Sequence, residues 1–360
     1  MQTEPPSTQE EILAAATIDP AIAEALGQNP AASATPDDLL SLKEIVQASL
    51  PELQKQLAST RPSNVTETER TIPLSDEIHS RVIICHPTII DVPSPVIVLY
   101  HGGGNCFAYP ETELELARQL AINHSATVLC PSFRLAPQHP FPAALDDAWA
   151  FLQYLSEEMK SLHNVSQPLL PKQADPKAGF IIGGSSSGAY IAAVLAHLAR
   201  DNRLSPPLTG QFLVAGDYID HEHVPEKYQK FYLSYEQCKD APILNRKFLQ
   251  IVRDVCKPDP TSPMWAPFDQ YHPSDGPGEV KNGHMGLAPA YFQVCGMDPL
   301  RDDGLIYEKV LREECGVPTK LALYRGYPHV WWAVFPGLEM SKQRFKDSVD
   351  AIGWLSQICF

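Results

Sequence analysis

Short β-branched runs alternate with amphipathic stretches from Arg81 onward. The runs at Arg81–Cys85, Val96–Tyr100, Ala126–Cys130, Gly179–Ile182, Gly210–Val214, Ala290–Val294 and Lys320–Tyr324 predict strands, and Glu111–Asn123, Ala143–Met159 and Ala189–Arg200 predict helices between them. That alternation specifies an α/β fold: a mostly parallel sheet with helices on both faces. Upstream the pattern is helical. Asp19-Pro20 and Thr35-Pro36 each read as an N-cap followed by Pro at the first helical position. The second of these helices carries Leu39, Leu42, Ile45, Val46 and Leu50, a stripe that must cover something apolar. Between Asp217 and about Tyr271 the strand pattern stops, and aromatic, helix-like sequence takes over (Tyr228, Phe231, Tyr232, Tyr235, then 243–255). A connection of that length inside an α/β domain reads as a lid or specificity insertion. The chain is therefore expected to be an α/β domain in two parts, 61–216 and 272–360, under a helical cap assembled from 1–60 and 217–271.

Composition narrows the partners. A net charge of −15 repels nucleic-acid phosphates and anionic headgroups, so no nucleic acid is expected. No apolar run approaches the ~20 residues of a spanning helix. The start, Met1-Gln2-Thr3-Glu4-Pro5-Pro6, lacks the basic and apolar segments of a secretory signal, and a cytoplasmic location is expected. The eight cysteines (Cys85, Cys106, Cys130, Cys238, Cys256, Cys295, Cys315, Cys359) show no Cys-x-x-Cys pair or zinc spacing and read as reduced thiols. Sequons at Asn64, Asn123 and Asn164 then carry no weight.

The strongest chemical signal is Gly184-Ser185-Ser186-Ser187-Gly188 between the apolar run 179–182 and a helical stretch. A serine in a strained strand-to-helix turn needs glycines two residues to either side, so that strand and helix can approach closely. Ser186 has both. Ser185 has Gly183 before it but Ser187 after, and Ser187 has no such pair. A phosphate-binding loop would need a following Lys or a third glycine, which are absent.

His101-Gly102-Gly103-Gly104 follows the run Val96–Tyr100 directly. Attack on an ester carbonyl puts negative charge on its oxygen, and side-chain-free backbone can bring N–H groups close to it. Gly103, Gly104 and Ser187 are the expected donors. His101 sits at a strand end and reads as a scaffold for the glycine turn rather than as the base. The base is expected at His329, in Gly326-Tyr327-Pro328-His329 after the last strand, with Asp298 orienting it from the end of the preceding one. Asp302 and Asp303 are alternatives that read better as helix-start carboxylates. Cys106, Phe107, Tyr190 and Trp331 are candidates for contact with substrate.

These blocks, with Phe133-Arg134-Leu135-Ala136-Pro137-Gln138-His139-Pro140-Phe141-Pro142-Ala143-Ala144 and Asp298-Pro299-Leu300-Arg301-Asp302, resemble in their order the hormone-sensitive lipase family of carboxylesterases, over about Val96 to Phe335. The resemblance implies an α/β-hydrolase fold, an eight-stranded sheet and a mobile helical cap. Three positions depart from the family: Ser185 stands for an acidic residue, Ala189 for a glycine, and Val330-Trp331-Trp332 for a small residue followed by an aromatic one.

The expected activity is hydrolysis of a small apolar ester through an acyl-enzyme, with no metal or organic cofactor. Aromatic residues of the insertion favour an apolar small molecule over a sugar or peptide. Transfer of the acyl group to another nucleophile, or thioester release, uses the same residues. A non-catalytic ligand receptor is the rival from another class, and the presence of Ser186, Asp298 and His329 together argues against it. The sequence leaves room for a homodimer.

Overall fold

The structure, a computed structural model, describes residues 4–30, 38–161, 168–268 and 283–357. Eight strands form one sheet: β1 (Val65–Pro73), β2 (His79–Pro87), β3 (Val96–Tyr100), β4 (Thr127–Pro131), β5 (Phe180–Ser185), β6 (Gly210–Val214), β7 (Ala290–Met297) and β8 (Thr319–Pro328). Their order is β1-β2-β4-β3-β5-β6-β7-β8, with β1 and β2 antiparallel to their neighbours and the rest parallel. All seven expected strands are present within a few residues. The eighth, β1, escaped the pattern.

Strand alternation builds two cores at once. In β3, Val96, Val98 and Tyr100 enter one cluster while Ile97 and Leu99 enter the other. On the first face lie the helices α5 (Ala143–Ser161), α6 (Ser187–Asp201) and α10 (Arg301–Lys309), through residues such as Leu152, Ile191 and Ile306. Opposite them lie α4 (Leu114–His124) and α12 (Glu339–Gln357), through Leu120 and Ile352. With both faces covered, the parallel strands carry nearly unbroken apolar sequence, which is why they were legible.

A third apolar cluster, Leu39, Cys106, Ala136, Leu244, Phe248, Cys256 and Leu300, joins the N-terminal segment, the 217–271 segment and the loops at the strand ends. The N-terminal helices are α1 (Gln9–Ala14), α2 (Pro20–Gln28) and α3 (Leu39–Thr60). Asp19 caps α2 with Pro20 at its first position, as expected. Thr35-Pro36 lies outside the described residues, and α3 is capped instead by Asp38, whose carboxylate accepts from the N–H groups of Leu40 and Ser41. The expected stripe is corrected at Ile45, which is 66% exposed. Lys43 lies on the buried side instead and donates to Ala136 O at 2.9 Å and Gln138 Oε1 at 2.7 Å. A lysine stem can line an apolar contact when its ammonium finds acceptors.

The 217–271 segment holds α7 (Glu226–Gln229), α8 (Ser234–Gln237) and α9 (Arg246–Cys256); Tyr271 is outside the described residues, as are Asn164 and Cys359. A short α11 (Trp331–Val334) follows β8. Among the described residues no helix is long and apolar enough to cross a membrane.

Candidate active site

β5 enters α6 through Ser186, whose backbone is held at φ 53°, ψ −123°. This left-handed conformation is costly for a residue with a side chain and lifts the hydroxyl out of the turn. The flanking glycines are required by contact rather than by flexibility: a Cβ on Gly184 would lie 2.1 Å from Tyr100 O, and one on Gly188 1.9 Å from the same atom. Strand β3 thus packs directly on the turn.

His329 follows β8 and reaches Ser186 Oγ with Nε2 at 2.9 Å. Its Nδ1 lies 2.6 Å from Asp298 Oδ2, and Asp298 Oδ1 accepts the N–H of Leu300 at 2.9 Å. A carboxylate only accepts, so the proton between this pair sits on Nδ1, and Nε2 is left with a lone pair toward the serine. Asp298 and His329 are buried. Asp302 and Asp303 point elsewhere: Asp302 pairs with Arg301 and accepts the N–H groups of Leu233 and Ser234, while Asp303 accepts those of Tyr218 and Ile219. Both carboxylates anchor the 217–271 segment to the start of α10.

Gly103 and Gly104 both have positive φ, and among the described residues no hydrogen bond takes up the N–H of Gly103, Gly104 or Ser187. All three line a cavity of about 390 Å³ that also contains Ser186 and His329. His101 lies behind this turn, buried and stacked on Phe133 at 4.3 Å, with Nδ1 2.7 Å from Gly102 O. Burial pulls its pKa down to about 4, so it is a neutral packing partner of the glycine turn.

Of the residues expected to touch substrate, Phe107 and Tyr190 line the cavity. Cys106 does not: it is fully buried with its Sγ 3.6 Å from that of Cys256, because the turn 103–107 folds its side chain inward. Cys256, at the end of α9, lines the cavity in its place, and the hydrogen bond with Cys106 together with burial pushes its thiol pKa far up. Trp331 is also corrected. It is fully buried against Tyr324, Tyr327 and Trp332, and the tryptophans in the wall are Trp332 and Trp265.

Among the wall residues that sequence reasoning missed are Glu113, Asp217 and Arg344. Asp217 is a carboxyl whose pKa is raised to about 7 by burial and then by Asp220. Only the three-dimensional arrangement identifies these residues, since none belongs to a motif. The side of the cavity under α9 is apolar, with Leu244, Phe248, Leu249 and Val252 from α9 and the loop before it. Among the described residues no group of three or more His, Cys, Asp or Glu is arranged to hold a metal.

The chain as a whole is similar to known proteins. A family model described as the alpha/beta hydrolase fold matches residues 97–333. An AB hydrolase superfamily protein of Schizosaccharomyces pombe is 32% identical over 346 residues, covering 94% of each chain. Carboxylesterase NlhH of Mycobacterium tuberculosis is 32% identical over 256 residues, 71% of this chain and 72% of its own. Among solved structures, vibralactone cyclase superposes with a TM-score of 0.81 at 26% identity, covering 99% of this chain and 98% of that one.

Proposed function

The chain belongs to the hormone-sensitive lipase family of α/β-hydrolases and is a carboxylic ester hydrolase, and from that premise we propose that Ser186 is its nucleophile, His329 its general base and Asp298 the residue that orients the base. The observation carrying this reading is the unbroken chain of hydrogen bonds Asp298–His329–Ser186, which ends on a hydroxyl facing the cavity.

His329 takes the serine proton at Nε2 as Oγ attacks the ester carbonyl, and Asp298 stabilises the imidazolium so formed. The N–H groups of Gly103, Gly104 and Ser187 receive the oxyanion. His329 then returns the proton to the departing alcohol, and water repeats the sequence on the acyl-enzyme. The substrate is a small ester with an apolar portion packed under α9, as the wall from Leu244 to Val252 supports. The helices of 1–60 and 217–271 act as one cap, a reading supported by the apolar cluster that joins Leu39 to Phe248.

Acyl transfer to a nucleophile other than water is a second reading, favoured by the likeness to a protein named as a cyclase. The test is release of 4-nitrophenol from short-chain esters by wild type and Ser186→Ala. The variant is expected to fold normally and lose activity by at least about a thousandfold. Wild-type turnover in Ser186→Ala would remove the serine from the mechanism.

A further inference from the structure

Two buried ionisable side chains in the cavity wall do not pair with each other. Arg344, on α12, is 6% exposed and Glu113, at the start of α4, is 8% exposed, yet both line the cavity that holds Ser186. The Arg344 guanidinium lies on the Trp332 ring at 3.9 Å, and its Nε donates to Gln293 Oε1 at 2.8 Å. Among the described residues no carboxylate comes within ion-pair distance of it, and no acceptor takes its Nη groups. Glu113 Oε1 accepts the hydroxyl of Ser185, the residue before the nucleophile, at 3.1 Å. Glu113 and Arg344 thus line one cavity without a hydrogen bond or ion pair between them, burial raising the pKa of Glu113 and the Arg344 charge opposing the rise.

A buried guanidinium without a carboxylate partner is expensive, and such charges cluster where a ligand completes them. The complement of this pair is a neutral group that accepts from Arg344 and donates to Glu113. An anion would gain from one and be repelled by the other, and a cation would meet the reverse. A hydroxyl satisfies both. Resting on the reading of Ser186 as nucleophile, we propose that Arg344 and Glu113 form a polar subsite that selects esters bearing a hydroxyl group on the chain extending away from the reacting carbonyl.

The subsite contrasts with the apolar side of the cavity under α9 and places Ser185 in a definite role. Its hydroxyl donates to Glu113 and holds the carboxyl group beside the elbow. Trp332 fixes the plane of the guanidinium in the same way. Both charged groups are thus oriented before any ligand arrives, which limits the ordering cost of binding.

The test is a ratio measured within each protein, so that general losses of activity cancel. 4-Nitrophenyl esters of ω-hydroxy acids with six to eight carbons are compared with the unsubstituted acids, and hexane-1,6-diol monoacetate with hexyl acetate. Wild type is expected to prefer at least one hydroxylated ester by about tenfold in kcat/KM, the range of a hydrogen bond to a charged group. In Glu113→Met and Arg344→Met that ratio should fall to about two or less, with folding checked by thermal melting. If Arg344→Met does not fold, Glu113→Met decides alone. Absence of any preference in wild type, or its persistence in the folded variants, would reduce the pair to a brace between α4 and α12. Retention of hydrolysis by Ser186→Ala would instead overturn the assignment of the nucleophile.

Discussion

Asp298, Asp302 and Asp303 lie within six residues of one another, and hydrogen bonding separates their roles. Asp298 meets the imidazole, whereas each of the others accepts two backbone N–H groups of the 217–271 segment. Asp298→Asn should lower kcat by about a thousandfold or more, because an amide favours the wrong imidazole tautomer and cannot stabilise the imidazolium. Asp302→Asn and Asp303→Asn should lower the melting temperature and leave kcat per folded molecule within about tenfold. Steady-state kinetics beside thermal melts distinguishes the two patterns, and a mild Asp298→Asn would move the orienting role elsewhere. Asp217 supplies a pH test at the same scale. Its folded pKa, raised to about 7 above an ordinary 3.8, means that the folded state holds a proton the unfolded chain has lost. Stability from this group is present below about pH 4 and is lost as pH rises to 7, at up to about 1.4 kcal/mol per unit. Asp217→Asn should therefore melt higher than wild type at pH 8 and no higher at pH 4; an equal difference at both would show that the carboxyl does not titrate in this window. Ser186, His329 and Asp298, the proposed catalytic residues, which the fold brings within hydrogen-bonding distance, stand out in the sequence because strained turns and strand ends demand particular neighbours. Glu113, Asp217 and Arg344 do not, since they come from three separate elements and no local pattern marks a side chain that faces a cavity.

Elements were legible in proportion to how their apolar residues were spaced. The parallel strands β3, β5 and β6 are buried on both sides and stood out, whereas β1, Val-Thr-Glu-Thr-Glu-Arg-Thr-Ile-Pro, is a sheet edge whose exposed charges hide it. The same charges discourage pairing with another chain. The 217–271 segment stands out as an interruption of the strand pattern, but α9 cannot be assigned a contact from sequence. In the fold it presses on the glycine turn so closely that a Cβ on Gly104 would lie 2.9 Å from Val252 Cγ1. Val252 thus bounds the space above the proposed oxyanion donors. Val252→Ala should open that space and shift preference toward longer chains, raising the octanoate-to-butanoate ratio of kcat/KM by about fivefold, consistent with roughly one methylene's worth of burial. A profile of 4-nitrophenyl esters from two to ten carbons gives the answer. An unchanged ratio would mean that the chain runs away from α9, toward the α4–α12 side.

At the scale of the molecule, the net charge of −15 reappears inside the site. Glu113, Glu115 and Asp217 line the cavity and Asp298 lies behind it, against Arg344 from α12. An ester hydrolase converts a neutral substrate into a carboxylate, and a cavity of negative potential repels that product while leaving the substrate unaffected. The same field should slow entry of an ester that already carries a negative charge. The expected signature, read at pH 8 where Asp217 is ionised, is ionic-strength dependence, since the Debye length falls from about 30 Å at 0.01 M to about 3 Å at 1 M. With mono-4-nitrophenyl adipate, kcat/KM should rise by about fivefold between 0.01 and 0.5 M sodium chloride, while with 4-nitrophenyl hexanoate it should change by less than about twofold. A fall with salt for the anionic ester would mean that the Arg344 guanidinium outweighs the surrounding carboxylates. The polar end of the cavity would then select carboxylates rather than hydroxyl groups, and the charge of the whole chain would have no part in releasing the acid.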